Sequence, residues 1–334
     1  MKPHRIILII SAMAFLFYLA GWPAAEAQVL QMRFAHFVEE THSGHLAAKQ
    51  FAARVEERTK GQVKIAIYPA NTLGTPPEQA EQIRLGVIEL GLPTQGQLDK
   101  YVKAFSVVMI PFLYDDYDHA HRVLDGPSMN WLSPLAEKEG FVVLCNWEYG
   151  FRNLTNSKRP ILKPEDVKGL KIRVPAEIQI QAAMVALGGV VTKIASREVY
   201  MALAQGVVDG QENTIPIIYH QKFYEVQKNV ALTRHAYNNM VHVINAKTWA
   251  RLTPEQQKIF REESLAASAF MRKTLIAEEA DLIAKMENAG VKVTKPDPAP
   301  FRARMGRTYE MIGKHSGEDN VRTYMKYVED ARKK

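Results

Sequence analysis

From residue 31 onward the chain alternates short apolar strands with longer amphipathic stretches. Gln31 to Ala35 reads as a strand. Leu46, Ala47, Phe51, Ala52 and Val55 then recur at helical spacing until Gly61, and Val63, Ile65 and Ile67 alternate with polar residues as a half-buried strand does. The order is β-α-β. A second helix from Pro77 to about Gly86 feeds the apolar run Val87 to Leu92, and this succession implies parallel sheet under covering helices. Further along, Leu170, Ile172 and Val174 alternate with Lys171 and Arg173 until Pro175 stops the strand. A helix from about Glu177 to Leu187 follows, ended by Gly188 and Gly189. Two such blocks in one chain predict an α/β protein of two lobes. Thr253, Pro254 and Gln256 then form a capping box with proline at the first helical position, and no proline or glycine interrupts the chain before Asn288. A helix of that length runs about 50 Å, enough to span both lobes.

The first residues follow a different pattern. Lys2, His4 and Arg5 precede an apolar run from Ile6 to Ala20, and Ala25 and Ala27 flank Glu26. This is the form of a secretory signal peptide, with cleavage expected after Ala27 and a periplasmic mature chain beginning at Gln28. Every later hydrophobic run is broken too soon to cross a bilayer. The net charge of +7 is spread along the chain without the clustered basic motif that nucleic-acid binding requires, though a positive field helps an anion approach. Cys145, the single cysteine, follows Phe141 to Leu144 in an apolar run and reads as a structural strand residue.

Certain segments carry a more specific message. Gly150-Phe151-Arg152, Asn156 to Pro160, and Lys168-Gly169-Leu170-Lys171-Ile172-Arg173-Val174-Pro175 occur in order, followed by Ala186-Leu187-Gly188, Glu198-Val199-Tyr200 and Gly206-Val207-Val208-Asp209-Gly210-Gln211-Glu212-Asn213. Together with Tyr68-Pro69, Pro111-Phe112-Leu113 and Phe223 to Lys228, they make the chain, from about Arg33 to its C-terminus, resemble the solute-binding component of a tripartite ATP-independent periplasmic (TRAP) transporter.

The resemblance implies a two-lobed periplasmic binding fold that closes over its ligand, hinged by crossing strands and braced by a long helix. Lobe I is expected over 28–149 with 238–277, and lobe II over 150–237 with 278–334. It implies capture of a small carboxylate and delivery to small and large membrane permease subunits, by a monomer that needs no cofactor, metal or ATP. Arg173 matches the arginine that grips the carboxylate in such proteins; by its residues alone it would be a solvated strand arginine. A planar guanidinium suits that task because it offers two parallel N–H donors. Arg152 matches a second, ligand-directed arginine, and Asn213 an asparagine that hydrogen-bonds ligand. Trp147 and Tyr149 are expected to wall the pocket, and Phe37 and Glu39 to contribute from the loop after the first strand. Relatives often have Pro-x-Pro and a phenylalanine before Glu-Val-Tyr, where this chain has Val191-Thr192-Lys193 and Ser196, and proline where it has Thr214. These departures bear on pocket shape.

Other chemistries fit less well. Asp115, Asp116, Asp118, His119 and His121 are metal-ligand types, but their spacing matches no known site and reads better as an acidic helix start. His42 and His45 read as surface histidines. The motifs of serine hydrolases, zinc proteases, P-loop enzymes and dinucleotide enzymes do not occur. A periplasmic enzyme acting on an organic acid and a module presenting one to a membrane sensor are the alternative functions. A search for turnover separates the first, and neighbouring kinase or permease genes the second.

Overall fold

The computed structural model describes residues 29–333, so the leader expected over 1–27 lies outside the described residues. The opening unit is β1 (Leu30–Ala35), α1 (Ser43–Arg58) and β2 (Val63–Tyr68), with β1 and β2 parallel and Leu30 opposite Val63. Helix α1 turns Ala47, Ala48, Phe51 and Val55 inward. His42 and His45 are buried rather than at the surface. His42 caps α1, its Nδ1 accepting from the Gly44 amide at 2.9 Å, while His45 Nδ1 lies 3.2 Å from His36 Nε2. The reason lies in their partners: helix start and sheet meet here, and each ring satisfies a polar group that water cannot reach.

Helix α2 (Pro76–Leu85) starts with a Thr75/Glu78 capping box, and only Leu90–Gly91 of the apolar run after it pairs, as β3. Two helices, α3 (Tyr117–Leu124) and α4 (Pro127–Lys138), precede the long strand β4 (Phe141–Asn156). Asp116 caps α3, accepting from the His119 amide at 2.7 Å, as an acidic helix start should. Next come β5 (Lys171–Val174), α5 (Ile178–Ala186), β6 (Val190–Lys193), α6 (Val199–Ala204), β7 (Gly210–Thr214) and α7 (Ile215–His220). A second long strand, β8 (Asn229–Asn245), leads to α8 (Pro254–Asn288), β9 (Lys292–Thr294), α9 (Gly306–Ser316) and α10 (Glu318–Arg332).

The strands join in one mixed sheet of order β2-β1-β3-β8-β4-β7-β5-β6, with β9 alongside β8. Its two ends are parallel and its middle antiparallel, since β8 pairs β3 and β4, and β4 pairs β7, in opposite directions. Three apolar clusters pack the sheet, the first of them continuous from the β1 end to Leu203, Ile215 and Phe223 of the other. Phe34, Phe51, Trp147, Phe260 and Met271 fill one face of the first end, and Phe105, Leu124, Phe141, Tyr237 and Tyr324 the other. Leu154, Ile172, Val174, Ile180, Met184 and Phe301 fill the second.

Two long strands, a long helix and the shorter α9, which packs on both Lys103–Met109 and α5, connect these ends. Strands β4 and β8 run through both, and their register slips between Val143 and Cys145, Glu148 and Gly150, and Arg152 and Leu154. Such slips bend and twist a strand. Gly150 sits at the middle one with φ +106°, where a side chain would be strained. Helix α8 has 35 residues, about 52 Å of rise, and packs along α1, β4 and α7. Thr253 caps it with Gln256 in the reciprocal box its sequence announces. The last helix, α10, packs on α3, α4 and the 3₁₀ segment Lys103–Met109, all of them at the β1 end.

Candidate ligand-binding site

Three hydrogen-bonded strands bring the polar side chains of the cleft together. In β4, Arg152 lies opposite Thr214 of β7; in β5, Arg173 lies opposite Gln211 of the same β7. Their ends open on a cavity of about 260 Å³ between the two ends of the sheet. Arg152, Arg173, Asn213 and Tyr149 line it from these strands, and Phe37, Thr75 and Thr94 from the β1 end.

The two arginines are electrostatically unlike. Both are buried. Arg152 is matched: its Nε and one terminal nitrogen donate to the Glu212 carboxylate at 2.5 and 2.8 Å, and His235 Nε2 approaches the same carboxylate at 3.2 Å. Burial works against charge on both partners, yet their mutual attraction keeps Arg152 protonated and holds Glu212 below the usual carboxylate range. Arg173 has no such partner. Its Nε donates to the Ile194 carbonyl at 2.9 Å, and its terminal nitrogens have no acceptor among the described residues. Burial, and secondarily the neighbouring Arg152, pull its pKa down to about 10 against the opposing influence of Glu212.

Around them stand directional groups. Asn213 Oδ1 accepts from the Tyr149 hydroxyl and from the Thr214 amide, each at 3.0 Å, which leaves its Nδ2 donors uncommitted. The Arg152 guanidinium lies over the Tyr149 ring, 5.7 Å from its centroid, and Phe37 meets that ring edge-on at 5.4 Å. Five of the expected residues, Arg173, Arg152, Asn213, Tyr149 and Phe37, thus line one cavity, Phe37 from the side opposite the other four.

Trp147 and Glu39 do not line it. Trp147 is two residues further up β4, about 6.6 Å from Tyr149 along the strand, and there it is core: it packs against Phe34 and His242 and donates to Ser264 Oγ at 3.3 Å. Glu39 is half-buried in the loop after β1, its carboxyl raised by burial and by Glu40. Cys145 is also remote from the cavity, beside Ser264 Oγ at 2.9 Å, with burial pushing its thiol up to about 12. Conversely, the cavity includes Glu177, Gln97 and Gln221, which sequence reasoning did not single out. For Glu177 a signal existed: a lone acid before an otherwise uncharged helix, just past the strand that carries Arg173.

A hinged pair of α/β units with a buried, unmatched cation between them defines a two-lobed ligand-capture protein. Residues 34–315 match the DctP model, described as bacterial extracellular solute-binding protein, family 7. The chain therefore belongs to this family, the solute-binding components of TRAP transporters. It is 33% identical over 293 residues to the 2,3-diketo-L-gulonate-binding periplasmic protein YiaO of Escherichia coli K12, covering 87% of this chain and 89% of that one. To the C4-dicarboxylate-binding periplasmic protein DctP of Rhodobacter capsulatus it is 32% identical over 304 residues, covering 89% and 90%. Among solved structures, a TRAP solute-binding protein of Polaromonas sp. JS666 bound to D-erythronate superposes with a TM-score of 0.85 at 32% identity, covering 89% of this chain and 98% of that one. One from Sulfitobacter with bound β-D-galacturonate gives 0.86 at 29%, covering 90% and 99%.

Proposed function

We propose that the mature protein captures a small organic acid by pairing its carboxylate with Arg173 and closing its lobes over it, then delivers the closed form to membrane permease subunits. The observation that carries this is the buried guanidinium with free terminal donors. A cation so placed is costly until an anion reaches it, and a carboxylate fits its two parallel N–H groups. The Asn213 amide and Arg152 stand ready for the ligand's further oxygens. A cavity of about 260 Å³ is below the roughly 300–1,000 Å³ usual for drug-sized ligands, which favours a monosaccharide-sized acid or a smaller one.

Closure bends β4 and β8 at their register slips, with 28–149 and 238–277 moving against 150–237 and 278–317. Helix α10 travels with the first group, on which it packs. Export to the periplasm with cleavage after Ala27 completes the reading, and the mass of the purified mature chain tests that cleavage.

The test of capture is a thermal-shift and calorimetric screen of ligand-stripped protein against organic acids, neutral sugars and amino acids. An acid at 100 times its Kd adds about 2.7 kcal/mol of stability. Arg173→Ala is expected to weaken its binding by at least about 2 kcal/mol, roughly 30-fold. Undiminished affinity in that variant, or a response to neutral sugars alone, would remove the proposed anchor.

A further inference from the structure

Glu177 lies in the cavity wall where β5 gives way to α5, and it is only 3% exposed. Thr94 donates to its Oε1 at 2.5 Å, but its Oε2 is buried with no partner. No cation is within ion-pair distance of it among the described residues. Its position is tightly held: a Cβ on Gly96 would come within 2.8 Å of Glu177 Cγ and 2.9 Å of Cδ, so the close approach of these segments depends on that glycine. The cavity therefore has a donor-rich side at Arg173 and a carboxyl with an unused acceptor at Glu177.

We infer that Glu177 is a specificity-determining residue, whose unpartnered oxygen accepts a hydroxyl of the cargo, so that the cleft selects hydroxylated monocarboxylates over dicarboxylates. This rests on the reading that Arg173 holds the ligand carboxylate. With that end fixed, the group brought near Glu177 must be a hydrogen-bond donor. A second carboxylate there would set acceptor against acceptor in a site poor in water. An ammonium group is disfavoured because Arg152, Arg173 and Lys193 face the same space. A hydroxyl carries a donor without a charge, and it supplies the hydrogen bond whose absence leaves Oε2 desolvated.

Calorimetry on ligand-stripped mature protein, with two acid pairs matched in carbon number, tests this: erythronate against succinate, and gluconate against adipate. The wild type is expected to prefer the hydroxy acid of a pair by about 30-fold, in line with the cost of leaving a buried acceptor without a donor. Glu177→Gln, which keeps the shape but adds a donor, is expected to bring the ratio within about tenfold by admitting the dicarboxylate. Equal or tighter binding of the dicarboxylates by wild type, or an unchanged ratio in Glu177→Gln, would overturn the assignment. Arg173→Met separates the underlying reading: if this variant binds the acids as tightly as wild type, Arg173 is not the anchor, whatever the ratio at Glu177. If no acid binds the wild type, both fall.

Discussion

Replacing Arg173 with methionine should stabilise the empty protein while weakening its binding of acids. The guanidinium loses its proton near 10 rather than at the ordinary 12.5, chiefly because burial disfavours the charge. At about 1.4 kcal/mol per tenfold, that is about 3 kcal/mol stored against folding. Methionine keeps much of the stem's volume and carries no charge. Against the gain stands the Ile194 carbonyl, which loses the Nε donor 2.9 Å away, at about 1 kcal/mol. The net gain is about 2 kcal/mol, or roughly 4 °C in melting temperature for a chain of this size. The sign follows from linkage. A basic group with a depressed folded pKa destabilises at every pH below that pKa, and the penalty fades only as pH rises from about 10 towards 12.5. Urea denaturation of both proteins near pH 7.5, without ligand, therefore reads the full effect. A variant equal to or weaker than wild type would show that Arg173 is not an unmatched charge, and undiminished acid binding would show that it is not the anchor.

The matched arginine should behave in the opposite way. Glu212→Gln leaves Arg152 buried without its counter-ion beside another guanidinium, and a loss of about 3 kcal/mol in urea denaturation is expected; a loss below about 1 kcal/mol would contradict the pairing. His242 is stacked on Phe34 at 4.9 Å and bonded to Ser264 Oγ at 2.7 Å, and burial lowers its pKa to about 3. Its neutral form thus contributes stability that is complete above the unfolded value near 6.5 and is lost as pH falls towards 3, about 2 kcal/mol of it by pH 5. Comparing urea midpoints near pH 7.5 and pH 5, His242→Gln should lose about that much less than wild type, and parallel losses would refute the assignment.

What could be read from the sequence was what is local. The Thr253-Pro254-Gln256 box placed the start of α8 to the residue, because capping is satisfied within one turn. Alternation from Leu170 to Val174 placed β5, and the motif around it brought Arg173 to the cleft. Contacts made at long range were not legible. His42 and His45 are polar by type and buried by their neighbours. Trp147 and Tyr149 are two apart on one strand, yet one is core and the other cavity wall, since the cleft begins between them. Glu177 acquires its meaning from Thr94 and Gly96, some eighty residues earlier, and no periodicity reports such a meeting.

The placement of Arg152, Arg173 and Asn213 on adjoining strands has a kinetic consequence. The charged pattern is carried by β4, β5 and β7, held together by their ladder and by the Arg152–Glu212 pair, whereas Phe37, Thr75 and Thr94 come from the opposite end of the sheet. On the proposed closure, opening the cleft would separate cover from charge and leave the cations together. Arrival and departure of the cargo are therefore governed by different parts of the molecule: salt in the medium slows the first by screening the field that draws an anion in, and the fit of the uncharged cover sets the residence time.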